Sequence, residues 1–460
     1  MFLSRAYFLV GATLLTGCGS EVAQSINVDG EPATWIRRTG RSSDNEPVAL
    51  TALAEGGVVM AGRYYGEVDF GGGKLPSPNA NYQAFVVKYD RKGEHVYSKS
   101  FGGDFAEVAA DVAALPDGSV IVTGTFNWPV DFGRGVLSPI SNDIFVLKLD
   151  PDGEVVWSQK FGSDGPQRPR ALAITADGGC VIVGSSSGKF DAGTGDVVDT
   201  SNAGFVLRLD PSGAPKWFDI VDDPSFLAIY DVAVASDGTI ALGGVFNDTL
   251  TMGDLPELTS HVSQDGFMAA YDDTGKALWN RAVGGTGYSD SVDAVAFRPK
   301  DGVFIASGQV EGQVDLGGGI FNMTEEYDSN TFLLAVSSTG AYVNSRVYGR
   351  SGTDRALDLA LDDDGNTYVA GEFYGTIAFG PITLASKGNA DAFVGKVRPN
   401  FEPAFQQAWG DTERQTAYRV AVDGNGRVYV AGSVFGTVDF GLGPTTGSGY
   451  YETFLVALPR

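Results

Sequence analysis

The sequence is short of the residues that carry most enzyme chemistry. Its 460 residues include two cysteines, two histidines and five methionines. His95 and His261 lie far apart, with neither zinc-ligand spacing nor a nucleophile-elbow phrase around them. A serine-histidine hydrolase or a zinc enzyme therefore lacks its parts, and no catalytic residue or cofactor is assigned. A basic stripe is missing too. Against 57 Asp and Glu stand 32 Lys and Arg, for a formal net charge of −25, and a field of that sign repels phosphate backbones and anionic lipid. Nucleic acid is excluded as a partner. The apolar run near the N-terminus covers only residues 6–15, short of the roughly 20 needed to cross a bilayer.

Glycine, by contrast, is plentiful. Its 63 residues are about twice the usual share, while a hydrophobic content of 43% allows a full core. The glycines recur in register. The phrase V-x-G-x-F and its variants place Gly62, Gly124, Gly184, Gly244, Gly308, Gly371 and Gly432. An independent series, the Phe of 145-FVLKLD-150, gives Phe85, Phe145, Phe205, Phe267, Phe332, Phe393 and Phe454. Both series step by about 60–65 residues, the signature of a repeat architecture. One repeat reads as four short β segments, 111-DVAALP-116, 119-SVIVTGTF-126, 144-IFVLKLD-150 and 155-VVWSQKF-161. Asp117-Gly118 and Asp150-Pro151-Asp152-Gly153 supply hairpin chemistry between them. Seven antiparallel meanders predict an all-β chain folded as a seven-bladed β-propeller of four-stranded blades. The last repeat stops at 453-TFLVALPR-460 after its third strand, and 35-WIRRTG-40 matches 157-WSQKFG-162 in spacing. The N-terminal strand is thus expected to complete the last blade and leave no unmatched edge, with the propeller covering residues 34–460.

The stretches 388-GNADAFV-394 and 421-AVDGNGRVYVAGS-433 resemble the bacterial seven-bladed β-propeller (SBBP) repeat, and the resemblance extends over roughly residues 34–460. It implies a secreted or surface-attached protein and assigns no activity. At the N-terminus, Arg5 followed by residues 6–15 has the form of a signal-peptide core, and 15-LTGC-18 resembles the lipobox of bacterial lipoproteins. That resemblance implies loss of residues 1–17, diacylation of Cys18, and residues 18–33 as a flexible tether. With Gly19 next, it points to the bacterial cell envelope and the outer membrane. The membrane is expected to be met through the lipid anchor alone, by a monomer.

Alternating strand direction puts the long loops, those entering the first strand and those between second and third, on one face. Variable loops on a rigid ring are where binding usually sits. Where the chain enters each innermost strand, the copies read Ala49, Asp111, Ala171, Asp231, Asp293, Asp358 and Arg419. Four carboxylates and one guanidinium around a channel mouth suit a cation or polyol site, with no metal assigned. The same aspartates also suit backbone N–H acceptors. Asp69, Asp131, Asp191, Asp315 and Asp439 precede turns and read as turn caps, and 362-DDDGN-366 lacks calcium-loop spacing. Trp35, Trp157, Trp217 and Trp279 share an outer-strand slot that suits inter-blade packing or glycan stacking. Cys180 occupies an apolar slot. The expected function is a surface-anchored binding or assembly scaffold for a protein or glycan, engaged through the loop-rich face. The alternative is a glycan-active lyase or hydrolase using the mouth carboxylates.

Overall fold

A computed structural model describes residues 15–17, 20–26, 32–39 and 46–459, apart from 77–80, 104, 196, 224, 324–328 and 350. Its architecture is a ring of seven antiparallel four-stranded blades. Blade two is representative, running from its innermost strand Val108–Ala114 through Val120–Phe126 and Asp143–Leu149 to the outer strand Val155–Phe161. The second and third strands of each blade are buried on both faces between neighbouring blades, which is why they read as nearly unbroken apolar runs. The outer strands are partly exposed along most of their length.

The two recurring anchors turn out to be one contact. Gly124 pairs directly with Phe145 across the second and third strands, and the same pairing joins Gly62 to Phe85, Gly184 to Phe205, Gly244 to Phe267, Gly308 to Phe332, Gly371 to Phe393 and Gly432 to Phe454. A side chain at Gly124 would collide with the Phe145 ring and the Val108 carbonyl. Only glycine lets that ring lie across the strand.

Closure follows the expected route. Pro32–Thr39 pairs with Glu452–Leu458, Trp35 standing opposite Ala457 and Thr39 opposite Thr453. Residues 20–26, read in the sequence as part of a tether, run as a further antiparallel strand along the outside of Pro32–Thr39. Trp35 is fully buried between the rings of Tyr89 and Tyr429, with centroids 6.2 and 6.0 Å away. Its indole N–H donates to Arg91 O at 3.2 Å, in the turn of the next blade. Trp157, Trp217 and Trp279 repeat the bond, to Pro211 O, Asp273 O and Ser338 O. The sequence slot thus holds an inter-blade staple. Asp69, Asp131, Asp191, Asp315 and Asp439 each accept backbone N–H groups of the following glycine turn, as turn caps do.

Candidate functional site

Every innermost strand carries a β-bulge against its second strand, and the bulges create two rings around the channel mouth. The residue paired just before the recurring glycine is Ala49, Asp111, Ala171, Asp231, Ala294, Asp358 or Arg419. The bulged residue itself is Val48, Ala110, Arg170, Tyr230, Asp293, Leu357 or Tyr418. This corrects the sequence alignment in blade five. Asp293 belongs to the bulge ring, and Ala294 fills the slot assigned to it, because blade five has one more residue between bulge and glycine. Bulges re-aim side chains, and a slip of one residue changes the face on which a side chain emerges.

Correctly aligned, the inner slot alternates alanine with aspartate from blade one to blade six. Each aspartate clasps the next blade. Asp111 accepts from Val112 N at 2.8 Å and from Leu172 N at 2.7 Å. Asp231 accepts from Val232 N at 2.8 Å and Val295 N at 2.7 Å. Asp358 reaches Val420 N at 2.8 Å. An odd number of blades cannot complete a strict alternation, and Arg419 fills the seventh slot. Its charge favours the ionised forms of Asp111 and Asp358. Burial pushes both carboxyls up to about 6, with Arg419 the largest opposing influence. Burial pushes Asp231, which has no such cation, up to about 8.

All five residues singled out in the sequence do line one recess of about 200 Å³, together with Arg170 and Tyr230. Beside it, among blades four to six, lies a larger cavity of about 360 Å³. Tyr230 and Asp293 border both. The larger cavity differs from the clasp ring because its polar atoms are not paired off. Asp293 Oδ2, Gln309 Oε1 and Arg355 Nε are buried without hydrogen-bond partners, whereas Gln309 Nε2 donates to Ser289 O at 3.0 Å. Burial raises the Asp293 pKa and the nearby Arg355 charge opposes it. The Ser291 hydroxyl also favours the charged form, from a geometry too poor to complete a hydrogen bond. Asp293 and Arg355 sense each other without closing an ion pair. Tyr288 stands 64% exposed on the same segment, its backbone N–H donating to Glu311 Oε2 at 3.2 Å on the cavity wall. The Arg170 guanidinium lies 5.8 Å over the Tyr230 ring.

Sequence reading missed Tyr230, Gln309 and Arg355. For Tyr230 the available signal was departure from the repeat, since the bulge column reads Val, Ala, Arg, Tyr, Asp, Leu, Tyr, whereas Gln309 and Arg355 lie outside that column. Elsewhere, Cys18 lies outside the described residues. Cys180 is fully buried and burial pushes its thiol up to about 12. His261 Nδ1 meets Asp265 Oδ2 at 2.5 Å, and His95 packs edge-on against Tyr89. Asp362 accepts from Asn366 N at 2.8 Å within a hairpin turn. Among the described residues no cluster of three His, Cys, Asp or Glu is placed to hold a metal ion.

No family model matches the chain. It is 24% identical over 384 residues to the regulatory protein FlaEY of Caulobacter vibrioides, covering 75% of this chain and 38% of that protein. An uncharacterized WD repeat-containing protein of Acanthamoeba polyphaga mimivirus is 21% identical, over 87% of this chain and 36% of its own length. The chain thus spans less than two fifths of either relative. Among solved structures, Kuenenia stuttgartiensis hydrazine synthase is 12% identical with a TM-score of 0.46, covering 89% of this chain and 97% of that one. The Neurospora crassa Pan2 WD40 domain is 11% identical with a TM-score of 0.44, over 90% and 89%. Likenesses this distant bear on neither activity nor partner.

Proposed function

We propose that the propeller is a binding or assembly scaffold of the bacterial cell envelope, lipid-anchored through Cys18 at the outer membrane, which engages a protein or glycan through its loop-rich face. The observation carrying this reading is what that face exposes. Phe105, before the innermost strand of blade two, and Trp128, after its second strand, are 43% and 48% exposed. Their rings lie 4.6 Å apart, inclined by 32°. Tyr288 and the unpaired cavity share their face. Exposed aromatics beside unsatisfied polar groups mark recognition surfaces. The glycan-active enzyme finds less support, because Asp111, Asp231 and Asp358 are engaged by backbone N–H groups. No two mouth carboxylates are left free to divide acid and base roles.

Photo-crosslinking residues placed at Trp128 and Tyr288 should capture envelope material, and placed at Asp117 and Asp237, in hairpins of the opposite face, should not. Equal capture from both faces would overturn the orientation. The anchor is tested separately. Cys18→Ala should abolish acylation and detergent partitioning, and unchanged partitioning would remove the lipid from the proposal.

A further inference from the structure

The cavity among blades four, five and six is built in a way that packing does not explain. A protein interior pairs its buried polar atoms, yet Asp293 Oδ2, Gln309 Oε1 and Arg355 Nε share one wall system and have no partners. They come from two blades. Asp293 is placed by the bulge in Ser291–Arg298, Gln309 by Val303–Glu311, and Arg355 by Asp354–Leu361. Two of the three atoms accept and one donates. The acid and the base influence each other electrostatically but remain unjoined, so a ligand between them meets an acceptor on one side and a donor on the other.

That arrangement selects among ligand chemistries. A bare cation gains nothing from Arg355 and is repelled by it. A phosphate or carboxylate suits Arg355 but faces Asp293 and the Glu311 side of the cavity. A hydroxyl group both donates and accepts, so adjacent hydroxyls on one ring can satisfy Asp293, Gln309 and Arg355 together with no net charge brought in. The space fits that size. About 360 Å³ lies at the low end of small-molecule sites. Tyr288, exposed beside the wall residues Ser289 and Glu311, supplies an aromatic face of the kind against which the C–H side of a sugar ring packs.

We propose that this cavity is a subsite for one neutral pyranose unit, with Asp293 and Gln309 accepting from its hydroxyls, Arg355 donating to them, and Tyr288 packing at the rim. The inference rests on the loop-rich face being the binding surface and names the ligand class for one part of it.

The test is saturation-transfer NMR on the full chain with the methyl pyranosides of glucose, galactose, mannose and N-acetylglucosamine. Glutamate and arginine serve as zwitterionic probes. At least one pyranoside should receive saturation. Its affinity should fall more than tenfold in Asp293→Ala and in Arg355→Met, while Val156→Ala, exposed on the outer strand of blade two, leaves it unchanged. Circular dichroism melting of each variant separates a lost site from a lost fold. Binding of the zwitterions in place of sugars, silence from all four pyranosides, or sugar binding indifferent to Asp293 and Arg355 would overturn the subsite. Face-specific crosslinking would stand in each of those cases, so failure here is distinguishable from failure of the scaffold reading.

Discussion

The seam that closes the ring and the junction of blades four to six treat buried polar groups in opposite ways. At the seam, Arg38 donates from Nε to Glu452 Oε2 at 2.5 Å, from Nη1 to Thr445 O at 2.8 Å and from Nη2 to Gly436 O at 2.9 Å. Neighbouring Arg37 donates to Gly93 O at 2.6 Å and lies 4.6 Å over the Tyr89 ring. Each nitrogen of Arg38 is used. At the junction, Arg355 leaves Nε unused and Asp293 leaves Oδ2 unused. Charge withdrawn from water is tolerated when its geometry is complete, and it holds two chain ends together only if neither partner can find a better arrangement. Unpartnered buried atoms occur elsewhere, as at Gln167 Oε1 and Gln406 Oε1, but an acid, an amide and a guanidinium left unpartnered around one cavity are what a site open to a ligand requires. Acidity in this channel is mostly structural, and function is to be sought where the clasp pattern breaks.

The largest loss is expected at the seam. Arg38→Ala strands the Glu452 carboxylate, 7% exposed at its side chain, and removing one member of a buried pair costs about 3–5 kcal/mol. Urea denaturation should show that loss. Adding Glu452→Leu should recover part of it, because the uncompensated charge is gone. A single variant as stable as the parent would show that the strand is held by backbone pairing alone.

Next in size is the indole staple. Trp35 is fully buried between two tyrosines, whereas Trp157 is half exposed although it makes the same kind of bond. Truncating a buried aromatic costs about 3 kcal/mol or more, so Trp35→Ala should lower the unfolding midpoint by clearly more than Trp157→Ala. Equal losses would mean that the closing strand is energetically an ordinary outer strand.

Much of the seam was legible in the sequence and little of the cavity was, for a physical reason. Repeated contacts leave repeated residues. Gly124 and Phe145 recur because one backbone approach is built seven times, and Trp35 was recognisable as a displaced outer-strand residue because Trp157, Trp217 and Trp279 mark the slot. A site made once leaves no period. Arg170, Tyr230 and Asp293 occupy successive copies of the bulge position, where the side chain differs from blade to blade. The single-residue shift in blade five also concealed that Asp293 stands apart from Asp111, Asp231 and Asp358. Residue type alone made the four look alike. Backbone pairing separates them.

The smallest and most discriminating effect lies in that separation. Asp231→Asn keeps one acceptor but turns an amide N–H toward the backbone N–H of Val232 or Val295, each of which now meets a carboxyl oxygen at 2.8 or 2.7 Å. An unsatisfied buried donor costs about 1–2 kcal/mol. The cost should depend on pH. The Asp231 pKa is raised from 3.8 to about 8 in the folded chain, so the folded state binds more protons than the unfolded state between those values. The stability linked to this group is therefore complete below about pH 4 and is lost as pH rises toward 8. Asp231→Asn should consequently be most damaging near pH 5 and progressively less so toward pH 8.5, read as the difference in melting temperature from the parent at each pH. Asp293→Asn should behave differently. Its Oδ2 has no donor to lose, so the loss should be smaller than in Asp231→Asn, and because burial raises this carboxyl too, any gain should emerge at the alkaline end. A loss in Asp293→Asn equal to that in Asp231→Asn, with the same slope against pH, would return Asp293 to the clasp ring and remove the physical basis for treating blades four to six as the open part of the mouth.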